Sequence, residues 1–362
     1  MKVAIIHYWL VTMRGGEKVL EALLDLYPDA DIFTHVVNKN AISAKIAQRI
    51  KGTTFIQKLP KAERYYQSYL PLMPLALEQL DLSAYDLILS SESGPAKGVI
   101  SSPNSVHICY CHSPMRYVWD KYHDYYQHSS WLKRLVIPYL LHRLRLWDLA
   151  SAFRVDHFIA NSSFVQQRIT KFYRRESAVI YPPINTGDFY IADHIDDFYL
   201  MVGQLVAYKN TRLAVEAFNK NGKRLVIIGV GAELPVLQKL AADNIQFLGY
   251  QPFTVIREHY ARCRALIFPG VEDFGMVPVE AMASGRPVIA LGQGGALDTV
   301  VDGVTGVLFD TPDITALNNA IHQFEAKDPL FSAVQIQQHA RQFDSAIFKQ
   351  EIAAFIEAAL NE

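Results

Sequence analysis

Short, unbroken apolar runs alternate with helix-length amphipathic stretches along the whole of this 362-residue chain. Unbroken runs are typical of parallel strands that helices cover on both faces, whereas half-exposed strands alternate apolar with polar residues. The alternation therefore predicts an α/β fold built from strand–helix–strand units. Because the chain is too long for one ordinary core, we expect two domains.

The predicted strands form two series, and the second begins after Tyr181, Pro182 and Pro183. The first series is Val3–Tyr8, Ala30–His35, Leu87–Ser90, Val106–Tyr110 and His157–Asn161. The second series is Tyr199–Gly203, Arg224–Gly229, Ile245–Leu248, Ala265–Pro269 and Pro287–Ala290. We therefore predict two Rossmann-like domains, one over residues 1–185 and one over residues 186–344. A final helix within residues 345–362 can pack on either domain, including back on the first.

Charge is divided unevenly between the two halves of the chain. The formal net charge of −1 argues against a protein that coats nucleic acid through bulk charge, so no nucleic-acid partner is expected. Residues 1–190 contain 22 Lys and Arg against 16 Asp and Glu, whereas residues 191–362 contain 13 against 20. A basic half joined to an acidic half suggests two domains that face different partners.

The N-terminal segment predicts a buried strand rather than an export signal. His7, Trp9 and Arg14 interrupt its apolar run, and no small-residue cleavage site follows. No stretch approaches the ~18 uninterrupted apolar residues of a membrane-spanning helix. Three cysteines are too few, and odd in number, for a disulfide framework. We expect a cytoplasmic protein.

Glycines follow three of the predicted strands, in Gly15-Gly16-Glu17, Gly229-Val230-Gly231 and Gly292-Gln293-Gly294-Gly295. Free backbone N–H groups at the start of a helix receive anions. The GxGxxG fingerprint of dinucleotide binding and the GxxxxGK[ST] motif are both missing, which disfavours a dehydrogenase and a P-loop NTPase. Three glycine turns at strand ends indicate one ligand crevice, and a ligand with two phosphates suits it.

Two glutamates eight residues apart, Glu272 and Glu280, flank a predicted loop-to-helix transition after the strand Ala265–Pro269. Gly275 and Pro278 place Glu272 in the loop, and a helix is predicted over Pro278–Ser284. Carboxylates accept hydrogen bonds from sugar and ribose hydroxyls, while the free N–H groups between them are suited to phosphate. The segment therefore predicts a site for a phosphorylated sugar.

In these segments and several others, the chain resembles the retaining glycosyltransferases of family 4, which have the GT-B fold of two Rossmann-like domains facing each other across a cleft. The segments that carry the resemblance are GGE at 15–17, YCHSPMRYVWD at 110–120, ANSSFVQQRI at 160–169, YPPI at 181–184, VGQLVAYKN at 202–210, IGVGAEL at 228–234 and EDFGMVPVE at 272–280. They cover nearly the whole chain and are most similar to those of mannosyltransferases that build O-antigen or exopolysaccharide units.

The resemblance also implies a role for individual residues. Glu272 would hold donor-sugar hydroxyls, Glu280 the ribose hydroxyls and Lys209 the diphosphate, whose charge grows as the glycosidic bond breaks. His112 matches the histidine near the donor sugar, and the candidate catalytic residues are therefore His112, Glu272 and Lys209. The further donor-binding candidates are Gly15, Gly16, Glu17, Gly203, Gln204, Gly229, Gly231, Phe274, Gly275 and Met276.

One position departs from the family pattern. Gln204 stands where family members commonly carry arginine, so a second positive charge at the diphosphate is lost. Arg14, beside the first glycine pair, is a candidate substitute. A lysine that is simply exposed on the surface remains the plainer interpretation of Lys209.

The activity that the resemblance implies is transfer of a hexose, with retention of anomeric configuration, from GDP-mannose or UDP-glucose to a lipid-linked saccharide acceptor. It implies no cofactor and no essential metal. The alternatives are a sugar-nucleotide epimerase with the same fold and a nucleotide-sugar-binding protein without catalysis. Neither the base nor the sugar of the donor follows from any single residue.

A metal site is the competing interpretation of two segments. His107, Cys109 and Cys111 share one face of a predicted strand, but their spacing is unlike that of zinc ligands. Asp29 and Asp31 resemble the DxD motif of the other glycosyltransferase fold, yet they lie before a strand rather than after it. We expect buried packing for the first group and turn chemistry for the second.

Basic and aromatic residues interleave with leucines between Trp131 and Trp147. The basic side chains are those of Lys133, Arg134, Arg143 and Arg145. Such a segment either contacts an anionic membrane surface or packs as an ordinary helix with its cations in water. Pro138 predicts that no single long helix spans it.

Overall fold

The computed structural model describes residues 1–127 and 131–361. The chain divides into two compact units. The N-terminal unit comprises Met1–Pro183 together with Phe348–Glu362, and the C-terminal unit comprises Ile184–Ile347. The predicted boundary was between residues 185 and 186. The chain thus leaves the N-terminal unit once and returns to it with its last helix.

The sheet of the N-terminal unit contains seven parallel strands within the described residues. They are β1 (Val3–His7), β2 (Asp31–Thr34), β3 (Ile50–Thr53), β4 (Leu87–Glu92), β5 (Val106–Cys111), β6 (His157–Ala160) and β7 (Ala178–Val179). Their spatial order is β3-β2-β1-β4-β5-β6-β7. The predicted strands of this half are present. β3 and β7 were not predicted, because one contains Lys51 and Gly52 and the other has two residues, so neither forms an apolar run.

The sheet of the C-terminal unit has six parallel strands in the described part of the chain. They are β8 (Tyr199–Val202), β9 (Leu225–Ile228), β10 (Ile245–Gly249), β11 (Leu266–Phe268), β12 (Val288–Leu291) and β13 (Gly306–Phe309). Their order is β10-β9-β8-β11-β12-β13. β13 was missed, because its four residues follow a turn-rich segment. The predicted class, α/β with two Rossmann-like domains, is confirmed.

Helices connect the strands in both units. They are α1 (Gly15–Leu26), α2 (Ala44–Arg49), α3 (Ala62–Tyr65), α4 (Met73–Leu77), α5 (Tyr122–Gln127), α6 (Trp131–Ala152), α7 (Ser163–Tyr173), α8 (Thr211–Asn221), α9 (Leu234–Leu240), α10 (Phe253–Arg262), α11 (Met276–Ala283), α12 (Ala296–Thr299), α13 (Ile314–Lys327), α14 (Ala333–Ala340) and α15 (Ser345–Leu360). Parallel neighbours need such crossover connections, because a short turn cannot return the chain to the same end of the sheet.

Helix α6 corrects one prediction. It is continuous over Trp131–Ala152 although Pro138 lies inside it. Proline removes the hydrogen bond to the carbonyl four residues earlier, that of Arg134. Arg134 and Leu135 are exposed, so water can take the place of the lost N–H donor. The helix therefore tolerates the proline where a buried helix would break.

Three charged side chains are fully buried in the N-terminal unit. The Nζ of Lys97 donates to Glu92 Oε1 at 2.6 Å and also to Asp148. Asp148 accepts further hydrogen bonds from the indole of Trp119 at 2.7 Å and the hydroxyl of Tyr173 at 3.0 Å. Burial alone would lower the pKa of Lys97, but the two carboxylates raise it above its ordinary value. The cluster ties the end of β4 to α6 and α7.

Helix α15 packs into the core of the N-terminal unit. Phe348, Ile352 and Ile356 are buried in the cluster that includes Ile5 and Ile108. The ring of Phe348 meets that of Tyr110 edge-on, with 5.7 Å between centroids. The last helix is therefore part of the first hydrophobic core.

We predict that Ile352→Ala destabilises the N-terminal unit by about 2–5 kcal/mol, because the substitution leaves a cavity in that core. All four tryptophans of the chain, at positions 9, 119, 131 and 147, lie in this unit, so tryptophan fluorescence reports its unfolding. Leu360→Ala, at an exposed position of the same helix, is the control and should leave the unfolding midpoint unchanged. Equal midpoints for Ile352→Ala and wild type would contradict the packing of α15.

Candidate functional site

The strand order of each sheet reverses at one place, between β1 and β4 in the N-terminal unit and between β8 and β11 in the C-terminal unit. In open parallel sheets, ligands bind beyond the carboxyl ends of the strands at such a reversal. Lys209 and Glu272 come from the segments that follow β8 and β11. His112 follows β5, which neighbours β4. The sequence candidates therefore lie where this topology favours a site.

In the C-terminal unit, Lys209 and Glu272 form an ion pair between the Nζ and Oε1 atoms. Their side chains are 13% and 18% exposed. A pair that is only partly hydrated attracts more strongly than one on an open surface. The structure thus joins a cation and a carboxylate that lie 63 positions apart in the chain. Lys209 is therefore paired and mostly buried, whereas the plainer interpretation places it alone on the surface.

Glycines let the backbone segments around this pair touch. A Cβ atom on Gly229 would overlap the carbonyl oxygen of Gly203, and one on Gly231 would overlap that of Leu205. A Cβ on Gly270 would lie 2.8 Å from the Cα of Lys209. These glycines therefore set how closely the strand ends approach, and with it the position of Lys209.

The loop that carries Glu272 is fixed from a second side. The amide of Gly295 donates to the carbonyl oxygen of Glu272 at 2.9 Å. Phe274 is buried, and Gly275 has a φ of +84° just before the first residue of α11, Met276. The helix thus begins two residues before the predicted start, because Pro278 fits its first turn, where no N–H is required.

Glu280 lies inside α11, as the helix predicted to begin near Pro278 requires, and it accepts a hydrogen bond from the hydroxyl of Tyr260 at 2.9 Å. Burial, and then the carboxylate of Glu280, raises the pKa of Tyr260 well above its ordinary value, so the phenol stays protonated and donates. Sequence reasoning missed Tyr260, since a single tyrosine in α10 carries no motif.

The side chain of Gln204, which stands where the family commonly has arginine, is exposed.

In the N-terminal unit, Gly15 and Gly16 are the first residues of α1 rather than a loop before it. A Cβ on Gly16 would lie 2.6 Å from the hydroxyl oxygen of Tyr8 and 3.6 Å from His112 Nε2. Glu17 is buried, and its Oε2 accepts from the backbone N–H of Arg14 at 2.7 Å. Gly16 therefore packs its backbone directly on an aromatic and histidine cluster.

His112 belongs to a chain of polar side chains. Its Nε2 lies 2.8 Å from Ser91 Oγ, which is 3.0 Å from His7 Nδ1, and His7 Nε2 is 3.7 Å from Glu17 Oε1. Burial, which disfavours the charged imidazolium, lowers the pKa of His112 to about 3, so its ring is neutral at neutral pH. Burial raises the pKa of Glu17, but His7 and the amide contacts outweigh it and keep the carboxylate ionised. Sequence reasoning missed His7 and Ser91.

The histidine and the two aspartates considered for a metal have other partners. His107 Nε2 lies 2.8 Å from Ser90 Oγ, and Cys109 and Cys111 are buried free thiols. Asp29 pairs with Arg49, and Asp31 accepts from the hydroxyl of Tyr85 at 2.7 Å. Over residues 1–127 and 131–361, no group of three His, Cys, Asp or Glu side chains is placed to hold a metal ion.

Two family models match the chain, one in each half. The model described as Glycosyltransferase Family 4 matches residues 13–188, and the model described as Glycosyl transferases group 1 matches residues 191–343. The chain belongs to the family 4-like glycosyltransferases of the GT-B fold.

Three curated relatives are mannosyltransferases by name. The α-1,3/1,6-mannosyltransferase ALG2 of Dictyostelium discoideum is 27% identical, over 63% of this chain and 64% of its own length. The O-antigen chain mannosyltransferase RfbU of Salmonella typhimurium is 28% identical, over 46% and 48%. A GDP-mannose-dependent α-(1-6)-phosphatidylinositol monomannoside mannosyltransferase of Mycolicibacterium smegmatis is 31% identical, over 33% and 36%. The chain thus spans between 36% and 64% of the length of these relatives.

Among solved structures, Anabaena HepE in complex with UDP matches with a TM-score of 0.71 at 18% identity, over 99% of this chain and 100% of that chain. At this identity the match shows the fold. Within the described residues, no helix is both long enough and apolar enough to cross a membrane.

We predict that Gly229→Ala destabilises the C-terminal unit by more than Gly222→Ala does. Both residues have positive φ, but a Cβ on Gly222 meets no atom within 4 Å, so Gly222→Ala measures backbone strain alone, about 1–2 kcal/mol. Scanning calorimetry measures the stability of both variants. Because every tryptophan lies in the N-terminal unit, a calorimetric transition without a matching change in tryptophan fluorescence belongs to the C-terminal unit. Equal losses would show that the contact with Gly203 does not constrain the site.

Proposed function

We propose that this protein is a retaining hexosyltransferase that uses GDP-mannose, with UDP-glucose as the second candidate donor. The observation that carries the proposal is the Lys209–Glu272 ion pair beyond β8 and β11, beside the start of α11. The names of the three mannosyltransferase relatives support mannose, and one of them supports the guanosine donor. The acceptor is a lipid-linked saccharide of an O-antigen or extracellular polysaccharide.

The pair suits a donor that combines a diphosphate with a sugar. The ammonium of Lys209 attracts the diphosphate, and the carboxylate of Glu272 accepts hydrogen bonds from sugar hydroxyls. The backbone N–H groups of Phe274, Gly275 and Met276, at the start of α11, add the partial positive charge of a helix N-terminus. Glu280, oriented by Tyr260, is suited to the ribose hydroxyls.

In the proposed reaction, the bond between the anomeric carbon and the phosphate oxygen breaks while the acceptor oxygen bonds to the same face of that carbon. The acceptor hydroxyl gives its proton to the leaving phosphate oxygen, so no protein base and no metal is required. Lys209 and the amides at the start of α11 stabilise the charge that develops on the nucleoside diphosphate. His112, neutral because of its burial, supports the sugar as positive charge grows on it.

We expect Lys209→Met and Glu272→Gln to have different effects on ligand binding. A ligand that binds the folded state raises the unfolding temperature. Lys209→Met should abolish the shift caused by GDP and by GDP-mannose, because the diphosphate loses its cation. Glu272→Gln should keep the GDP shift and lose the extra shift from the mannose. Lys220→Met, an exposed lysine on α8, is the matched control.

Transfer of labelled mannose to a membrane extract that contains lipid-linked saccharides should fall about 10²–10³-fold in both variants. Each single variant leaves one charge of the pair without its partner, which can destabilise the fold. The double variant Lys209→Met/Glu272→Gln removes both charges and therefore separates loss of function from this destabilisation. Full transfer by a folded double variant would overturn the assignment. An epimerised nucleotide sugar from donor alone would indicate the epimerase, and binding without transfer or epimerisation would indicate the binding protein.

We further propose that α6 contacts an anionic membrane surface. Trp131, Leu135, Tyr139 and Leu146 are each between 50% and 72% exposed. Their spacing of four, four and seven residues places them within about 80° of arc on one helix face. Leu144 and Asp148, on the opposite face, are buried.

Cations accompany this apolar face. Arg134 and Arg143 are exposed near it, and the guanidinium of Arg134 also lies 5.7 Å from the ring centroid of Tyr126. Arg145 donates to the carbonyl of Val118 at 2.7 Å. The side chain of Lys133 lies outside the described part of the structure. Apolar and aromatic side chains with flanking arginines suit a surface of anionic lipids.

We predict that Leu135→Ser/Tyr139→Ser reduces co-sedimentation with phosphatidylglycerol vesicles at low salt, because two exposed apolar side chains are lost from the face. Tyr250→Ser, an 80% exposed aromatic in the C-terminal unit, is the control and should bind as wild type. Phosphatidylcholine vesicles should retain little protein. Wild-type protein that ignores phosphatidylglycerol vesicles would refute the membrane contact and leave the transferase proposal intact.

A further inference from the structure

We infer that Glu17 sets the tautomer of His112 from two side chains away, through His7 and Ser91, so that His112 presents an unprotonated Nδ1. The inference concerns a residue that the proposed function uses, and its catalytic meaning rests on that proposal. The tautomer itself is a property of the N-terminal unit and is measured without donor or acceptor.

Strand register brings the four groups together. His7 and Ser91 are direct partners across β1 and β4, and Ser91 is the partner of Tyr110 across β4 and β5. His112 lies just beyond β5, and its backbone N–H donates to the carbonyl of Glu92 at 2.7 Å. Three neighbouring strand ends therefore hold two imidazoles on one hydroxyl, and α1 adds the carboxylate of Glu17.

A serine hydroxyl has one proton, so Ser91 donates to one imidazole and accepts from the other. The ring nitrogens that face Ser91 are His7 Nδ1 at 3.0 Å and His112 Nε2 at 2.8 Å. One of these nitrogens must carry a proton and the other a lone pair. The tautomer of His7 therefore dictates that of His112.

Glu17 determines which of the two arrangements forms. Its Oε1 lies 3.7 Å from His7 Nε2, a buried atom that has no hydrogen-bond partner among the described residues. In a neutral His7 with one ring proton, the buried carboxylate attracts that proton to the facing nitrogen, which leaves a lone pair on His7 Nδ1. Ser91 then donates to His7 and accepts from an N–H on His112 Nε2.

The outcome is a neutral His112 with its lone pair on Nδ1. In the part of the chain that the structure describes, Ser91 is the hydrogen-bond partner of the His112 ring, so Nδ1 is left to accept from a ligand hydroxyl. The rings of Tyr8 and Tyr110 stand edge-on to His112, at 6.4 Å and 5.2 Å between centroids, and hold its plane. Glu17, His7 and Ser91 are positioning residues for that atom.

Glu17→Gln tests the inference because glutamine has the same shape but offers a donor. Its amide oxygen can keep the hydrogen bond from the N–H of Arg14, and its NH₂ group then faces His7 Nε2. A donor at that position favours a lone pair on Nε2 and the proton on Nδ1. Ser91 then accepts from His7 Nδ1 and donates to His112 Nε2, so the proton of His112 moves from Nε2 to Nδ1.

The measurement is ¹⁵N NMR of the ring nitrogens in histidine-labelled full-length protein, with the His112 signals assigned by their loss in His112→Asn. Wild type should show a protonated Nε2 and an unprotonated Nδ1, and Glu17→Gln should show the reverse. Glu21→Gln, one turn further along α1, is the matched control and should resemble wild type.

Ser91→Ala removes the link, so in that background Glu17→Gln should no longer move the proton of His112. Ser91→Thr retains the hydroxyl and should restore the response. Tryptophan fluorescence verifies that each variant is folded. An unchanged His112 tautomer in folded Glu17→Gln would overturn the inference, whereas failure of GDP-mannose to bind wild type would overturn only the proposed function.

Discussion

Backbone contact between segments of the C-terminal unit is the constraint on which its candidate site depends. Gly203 and Gly229 touch where any side chain on Gly229 would overlap a carbonyl oxygen, and Gly270 lies against the backbone of Lys209. The ion pair of Lys209 and Glu272 follows from that approach, because the two residues come from segments beyond different strands. The loop of Glu272 is held in turn by the amide of Gly295.

The two units use the same topological position for different chemistry. Beyond β8 and β11 the C-terminal unit holds a cation and a carboxylate, whereas the N-terminal unit holds a hydroxyl between two imidazoles. The acidic half of the chain thus contains the cation that the proposed function assigns to an anionic ligand. Local groups at a strand end matter more for binding than the summed charge of a domain, because screening limits the reach of distant charges.

Much of this arrangement could be predicted from the sequence, and the parts that could not share a physical reason. Unbroken apolar runs located the central strands, and glycines marked the segments after β1 and β9. Short edge strands such as β3 were not predicted, because their pairing with a neighbouring strand, rather than an apolar composition, defines them. The continuity of α6 through Pro138 depends on exposure, which a sequence does not contain. The partners of His112 and Glu280 also escaped, because Ser91 and Tyr260 meet them only through the tertiary fold.

The return of α15 to the first core has a consequence for how this chain matures on the ribosome. Domains fold largely in the order in which they are synthesised. The core around Ile5 and Ile108 cannot be completed until Phe348 and Ile352 have been translated, by which time the whole of Ile184–Ile347 is already made. The second unit can therefore finish folding before the first. Throughout that interval, the nascent N-terminal sheet exposes an apolar face that a chaperone can cover.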